Sequence, residues 1–406
     1  MPEPKDKREA DEGSGDEEEQ TISNDTVVNK YQMAAEIVNA VLRDIIPKCT
    51  PGTNIGDLCD FGDKELLERT NKVFKKEKEV KKGVAFPTCI SVNNCICHFS
   101  PLRSEPEVQL KDGDLVKIDL GAHLDGYIAT AAHTIIVGAS KENKVKGRKA
   151  DVILAAYYGI EAAIRMVKPK NKNMDVTDVI TKVTDHFACK PVENMLSHQL
   201  KRNKIDGEKQ IIQNPGEKER QDLEKIEIDQ HEVYAIDVLV STGEGKARVM
   251  DARTTVYKKD DELIYQLKMK ASRNFLTDAE KRYGTMPFTL RSFDDEVKAK
   301  MGVVECERHG LMKPYQVLYE REGELVAQFK WTVLVMPNGL LKVSGFAPEL
   351  DTLESEHKIA DEKLLQLLQT SLKPNKKKQK KKAAAAAGAP QPTGTQETAE
   401  NGAAKA

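Results

Sequence analysis

The sequence predicts an α+β fold assembled from two related halves, and three observations carry that expectation. Amphipathic helical stretches precede β-rich stretches twice along the chain. Two of the strands match each other. Leu115-Val-Lys-Ile-Asp-Leu120 lies over Val233-Tyr-Ala-Ile-Asp-Val238, with an Asp after an Ile in both, which points to an internal duplication. A polar, helical stretch then separates the second of these strands from a last one, Leu325 to Met336.

The elements follow in order. Asn24-Asp25 is an N-cap signal, and Val27, Val28, Tyr31, Ala34, Ala35, Val38, Val41, Leu42 and Ile45 follow at helical spacing up to Pro47. A second helix is expected over 63–78 through Leu66, Leu67, Val73 and Phe74, and two more over 149–167 and 175–188. The strands at 115–120, 232–239 and 325–336 are rich in β-branched and aromatic residues. Residues 258–310 read as a helical insert that would project from the core. Residues 354–370 read as a final helix, within a C-terminal segment at 351–372.

The ends are of another character. The chain has 406 residues, 39% apolar and 32% charged, which suits a folded core with solvated tails. Its net charge of -2 hides an asymmetry. Residues 1–20 hold three basic and nine acidic side chains, while residues 373–406 hold eight lysines and two glutamates. Both ends are expected to be disordered, with 21–350 forming the main domain. No apolar run nears the roughly 20 residues of a membrane span, and the acidic start does not read as a secretory signal. Seven cysteines, an odd number spread thinly, read as reduced intracellular thiols.

His98, Asp119, His198 and Asp237 are the residue types a hydrolytic metal site uses. Taken singly, each is more often a hydrogen-bonded structural residue. The words around them narrow the choice. Ala85-Phe-Pro-Thr-Cys-Ile-Ser-Val-Asn-Asn-Cys-Ile-Cys-His98, Lys117-Ile-Asp-Leu-Gly-Ala-His-Leu-Asp-Gly126, Glu193-Asn-Met-Leu-Ser-His198, Glu232-Val-Tyr-Ala-Ile-Asp237 and Ala327-Gln-Phe-Lys-Trp-Thr332 occur in this order. The series resembles the second type of methionine aminopeptidases, pita-bread metallohydrolases, over residues 24 to 350. The resemblance implies a pita-bread fold with pseudo-twofold halves.

The same resemblance implies a ligand set of two Asp, one His and two Glu holding two metal ions. Here Asp119 and His198 stand at two of those positions. Thr130 replaces the second Asp, Asp237 shortens one Glu, and Lys330 replaces the bridging Glu. A further family His corresponds to Asp206. An ammonium about 4 Å from a divalent ion is repelled by about 8 kcal/mol at an effective dielectric of about 20. The expectation is a pocket without metal or cofactor, in which Lys330 pairs with Asp119 or Asp237. This pattern, with the acidic head and lysine-rich tail, resembles the proliferation-associated, non-peptidase branch of the family. That implies RNA and the large ribosomal subunit as partners, with receptor cytoplasmic tails and transcription corepressors as further ones. It also implies a monomer in cytoplasm, nucleus and nucleolus, acting in growth, translation and transcription control.

Two alternatives stand beside this reading. One is an active aminopeptidase with a single metal on Asp119, His198 and Asp237. The other is a scaffold for receptor tails or corepressors.

Surface motifs complete the picture. Lys373, Lys376, Lys377, Lys378, Lys380, Lys381 and Lys382 form a dense run suited to RNA contact and nucleolar targeting. Lysines of 72–82 are interleaved with glutamates and read equally as a solvated helix face. The insert supplies Lys258, Lys259, Lys268, Lys270 and Arg273, expected by resemblance to face the ribosome, along with Arg291. Leu364, Leu367 and Leu368 fit a Leu-x-x-Leu-Leu coregulator box, although packing onto the core explains the pattern more simply. Cys95-Ile-Cys-His98 places its cysteines on one strand face and the histidine on the other, which argues against a soft-metal site.

Overall fold

The structure is a computed structural model that describes residues 21–373. The first helix, α1 (Asp25–Ile45), starts where the Asn24 side chain accepts from the Thr26 amide at 2.9 Å, and it ends against Pro47. Helix α2 runs Ile55–Lys72 rather than 63–78. Asn54 caps it by accepting from the Gly56 amide at 2.8 Å. It stops before Phe74, whose φ of 49° no helix accommodates. The lysines of 72–82 therefore lie mainly on turns, not on a helix face.

Strands β1 (Lys82–Val92), β2 (Leu115–Leu124) and β3 (Tyr127–Ile136) follow, then helices α3 (Arg148–Met166) and α4 (Asn173–Asp185). Strands β4 (Met195–Leu200), β5 (Gln210–Gln213) and β6 (Val233–Ser241) come next. The insert contributes β7 (Val256–Lys259), α5 (Lys270–Tyr283), α6 (Glu296–Arg308) and β8 (Met312–Tyr315). Strands β9 (Val326–Met336) and β10 (Gly339–Lys342) return to the main sheet, and α7 (Glu362–Gln369) closes the described chain.

The main sheet has the order β1-β2-β3-β9-β6-β4-β5. Its centre carries the duplication: β2 and β3 on one side are answered by β6 and β9 on the other. Helices α1 and α2 pack behind β1 to β3, and α3 packs behind β6 and β9 with α4 against it. Each helix pair encloses its own apolar cluster, one with Val38, Leu42 and Ile118, the other with Ile160, Ile236 and Phe329. Trp331 is fully buried in the second cluster, and Gly345 (φ 77°) passes so close that a Cβ there would collide with the indole ring.

The insert is more than helices. β7 pairs with β8 and with Phe288–Thr289, and α5 and α6 enclose a small core of Tyr257, Phe275, Phe288 and Cys306 that takes Leu102 from the main body. Arg291, expected on the insert's outer surface, is only 1% exposed. Its guanidinium reaches Asp60 at 2.7 Å, Asp63 at 2.5 Å, Ser100 at 2.8 Å and the Pro101 carbonyl at 3.1 Å. All four partners belong to the main body, so this side chain staples the insert to it.

The final helix is shorter than the expected 354–370. Asp361 caps it by accepting from the Lys363 amide at 2.7 Å, and before it Leu353–Glu354 pairs with Val145–Lys146 as a short parallel ladder. All seven cysteines are buried and free. Among the described residues, no helix is long and apolar enough to cross a membrane.

Candidate functional site

Strand register builds the site. Asp119 on β2 faces Ala132 on β3, Ala132 faces Lys330 on β9, and Lys330 faces Asp237 on β6. Side chains directly opposite across a sheet share a face. The short Ala132 therefore lets the Lys330 side chain lean across to Asp119 as well as to its own neighbour. Lys330 Nζ lies 2.6 Å from Asp119 Oδ2 and 3.0 Å from Asp237 Oδ2. The sequence allowed pairing with one or the other, and the geometry uses both.

One residue missed from sequence completes the group. Gln328 donates from Nε2 to both oxygens of Asp237, at 2.9 and 3.1 Å. It lies two residues before Lys330 on the same strand and so shares its face, a signal the alternation of β9 contained.

The pocket in front of this row is about 220 Å³ and is lined also by Phe86, Thr130, His198, Asp206 and Tyr315. Cys97 and His98 line it together. The expected opposition of their faces fails because His98 has a left-handed backbone, φ 66°, which turns its ring back. The His98 Nδ1 meets the Gln316 carbonyl at 3.0 Å, so that nitrogen carries the proton. Burial pushes His98 and His198 down to about 4, which keeps both imidazoles neutral at ordinary pH.

Burial lifts Asp119 and Asp237 above the ordinary carboxylate range, with the Lys330 ammonium pulling back. The two carboxylates outweigh burial at Lys330 and hold its ammonium well above the ordinary range. Asp119 Oδ1, Thr130 Oγ1 and His198 Nδ1 have no hydrogen-bond partner among the described residues.

The donor set does not fit a divalent metal. The point between Asp119 and Asp237 that a cation would share is taken by a covalently tethered ammonium, and Thr130 offers only a neutral hydroxyl. Among the described residues, no group of three or more His, Cys, Asp or Glu side chains is arranged to hold a metal ion.

The remaining expected residues lie elsewhere. Lys258 does not face outward. It is 6% exposed and ion-paired with Asp206, which stands at the rim of the pocket. Lys259 pairs with Glu280 at 2.8 Å, and Arg273 donates to the carbonyls of Leu267 and Lys268 at 2.9 and 2.7 Å. Lys268, Lys270 and Arg273 are exposed. Leu364 is buried against the α3 side of the core, with Leu367 and Leu368 half-buried beside it. The Leu-x-x-Leu-Leu box is folded onto its own protein, so it does not present itself to a coregulator. Lys373 is exposed, and Lys376, Lys377, Lys378, Lys380, Lys381 and Lys382 lie outside the described residues, as does the acidic head.

Known proteins resemble this chain in sequence and in overall fold. The chain is 47% identical over 332 residues to ErbB-3 binding protein 1 of Arabidopsis thaliana, covering 81% of this chain and 83% of the relative. It is 45% identical over 356 residues to proliferation-associated protein A of Dictyostelium discoideum, covering 88% and 91%. A solved structure of a thermophilic Arx1 superposes with a TM-score of 0.80 at 31% identity, covering 87% of this chain and all of that one. Residues 29–257 match metallopeptidase family M24. With its duplicated sheet, paired helices and family match all in place, the chain belongs to metallopeptidase family M24 and has its pita-bread fold.

Proposed function

We propose that this chain has given up metal-dependent hydrolysis and works by binding structured RNA and the large ribosomal subunit, pre-ribosomal particles included. One observation carries the first half of this reading: the Lys330 ammonium sits between Asp119 and Asp237. A bridging water needs a metal to become a nucleophile near neutral pH, and here a fixed positive charge opposes its entry. The competing single-metal peptidase on Asp119, His198 and Asp237 would have to displace that ammonium from both carboxylates.

The second half rests on charge at the surface. Lys72, Lys75, Lys76, Lys78 and Lys81 are exposed on one stretch, and Lys268, Lys270 and Arg273 are exposed on the insert. Neither stretch carries an aromatic base-stacking motif, so recognition rests on phosphates and shape. The tail lysines add a third cationic segment that suits nucleolar retention, in a protein shared between cytoplasm and nucleus.

A second reading is favoured by the name of the Arabidopsis relative: a scaffold for receptor tails, with transcription corepressors as further partners in growth control. Salt dependence separates the two. RNA affinity of the full chain is expected to fall steeply with salt, with the log-log slope flattening by about 0.7 for each single-strand phosphate contact removed, or about 0.9 for duplex. Deletion from Lys373 onward weakens RNA binding. Lys268→Glu with Lys270→Glu and Arg273→Glu reduces ribosome co-sedimentation more than the deletion does. If both changes leave RNA and ribosome binding intact, the scaffold reading replaces the first. Stoichiometric metal with release of methionine from Met-Ala peptides would instead restore the peptidase.

A further inference from the structure

We propose that the acidic head is an intramolecular ligand of the lysine-rich tail and competes there with RNA; the competition rests on the reading of the tail as an RNA contact. Neither segment lies among the described residues apart from Lys373, but the fold fixes where each departs. Ile22, at the start, is 2% exposed and belongs to an apolar cluster with Val233 and Leu334. Thr21 and Ile22 line a small cavity with Gln230 and His231, and the His231 amide donates to the Val335 carbonyl on β9 at 2.8 Å. At the other end, the Leu372 carbonyl accepts from the Leu340 amide on β10 at 3.0 Å. Val335 and Leu340 are themselves register partners. The head and the tail therefore leave from the two flanks of one β-hairpin. Rows spaced by about 4.8 Å put His231 and Leu372 on the order of 15 Å apart.

Charge makes that proximity matter. Residues 1–20 hold three basic and nine acidic side chains, and Asp16, Glu17, Glu18 and Glu19 form an unbroken run just before Thr21. Lys376, Lys377 and Lys378 follow as closely after Lys373, with Lys380, Lys381 and Lys382 next. A chain spans up to about 3.5 Å per residue, so these two runs can close a gap of this size unaided. The corner between them is cationic as well. Lys168 lines a groove with Ser371 and Leu372, and the Lys170 amide donates to the Ile228 carbonyl at 2.9 Å, just before His231. Both lysines are exposed, whereas Glu161, Asp229 and Glu232 nearby are already paired with Arg165 and Lys209. Such a field draws in an acidic segment and repels a basic one. Tethering to one hairpin keeps each segment at an effective concentration on the order of millimolar near the other. Phosphates and head carboxylates compete for the same ammonium groups, so RNA gains the tail by displacing the head.

The test compares the full chain with a variant carrying Asp16→Asn, Glu17→Gln, Glu18→Gln and Glu19→Gln. At about 50 mM salt the variant should bind a structured RNA about three- to tenfold more tightly than the wild type, the release of a few exposed ion pairs. The gain should vanish at about 0.5 M salt, where screening removes the competition, and again when both proteins are cut before Lys373. Zero-length carbodiimide cross-linking reads the pairing without RNA. In the monomer fraction, Glu17, Glu18 and Glu19 should join to lysines of 376–382, and excess RNA should suppress these links. The proposal is overturned if the variant binds RNA no more tightly while tail deletion still weakens binding, if the gain survives tail deletion, or if the links form only in dimers. If tail deletion leaves RNA binding unchanged, the RNA reading of the tail falls, and the cross-links alone decide whether head and tail meet.

Discussion

Lys330→Ala should lower the melting temperature by on the order of 4 to 7 °C, while Lys270→Ala leaves it within about a degree. The difference is burial. Lys270 is exposed and ends in water, whereas Lys330 is held between two buried carboxylates. Removing one partner of a buried ion pair costs on the order of 3 to 5 kcal/mol, because the remaining charge loses both its partner and its water. Unfolding entropy of about 2.1 cal/mol/K per residue, over the roughly 350 described residues, converts that loss into the stated shift.

The size of the effect should depend on pH, in a direction the site dictates. With the ammonium gone, Asp119 and Asp237 can relieve their repulsion by protonation, so the penalty shrinks as pH falls toward the carboxylate range. At the alkaline end the wild type changes instead. Lys330 titrates higher folded than unfolded, so its contribution is complete below about pH 10 and declines as pH rises through its folded pKa. Thermal melts of both proteins from pH 5 to 11 check this. A constant gap across that range, or equal melting temperatures for the two lysine variants at pH 7, would refute the pairing.

Arg291→Ala should be comparably damaging, but in a different place. Its guanidinium joins the insert to Asp60, Asp63, Ser100 and Pro101, and it is among the largest fully buried side chains. Burial raises the Asp63 carboxyl and Arg291 pulls it back, so deletion leaves an inward-facing carboxylate without its counter-charge. A loss on the order of 3 to 5 kcal/mol follows. Arg291→Lys should recover little, because one ammonium cannot serve acceptors arranged for a planar fork. Hydrogen exchange distinguishes the two variants: Arg291→Ala should speed exchange across 258–310 ahead of the central strands, and Lys330→Ala should do the reverse. If exchange in the insert is unchanged by Arg291→Ala, the staple is not what holds it.

Much of this was legible in the sequence, for identifiable reasons. The central strands are buried on both faces, so β-branched runs at 115–120 and 233–238 mark them directly, and their matching Ile-Asp pairs mark the symmetry of the sheet. The helices α1, α3 and α4 are long and amphipathic enough to announce themselves. Helix α2 was misplaced because Gly56 and Gly62 break its apolar periodicity, while the lysine-rich stretch after it mimics a helical face. Substituted ligands could be read because they are single residues inside recognisable words. The partners of Lys258 and Arg291 could not. Both look like surface charges in a polar stretch, and only the fold brings Asp206 to one and Asp60 and Asp63 to the other. The hairpin flanked by Ile22 and Leu372 is likewise invisible in a linear chain, since these two lie at opposite ends of the described residues.

The seven buried thiols give the protein a built-in clock. Burial pushes Cys59 and Cys306 up to about 12, so these groups are neither ionised nor reachable in the native state. An alkylating reagent can then modify them only when their surroundings open. They are distributed with useful breadth: Cys49 and Cys59 with the first helix pair, Cys89 and Cys97 near the Lys330 pocket, Cys189 with the second pair, and Cys306 in the insert. The order in which they acquire label under mild denaturant, read by mass spectrometry, ranks the opening rates of these regions without a single engineered probe.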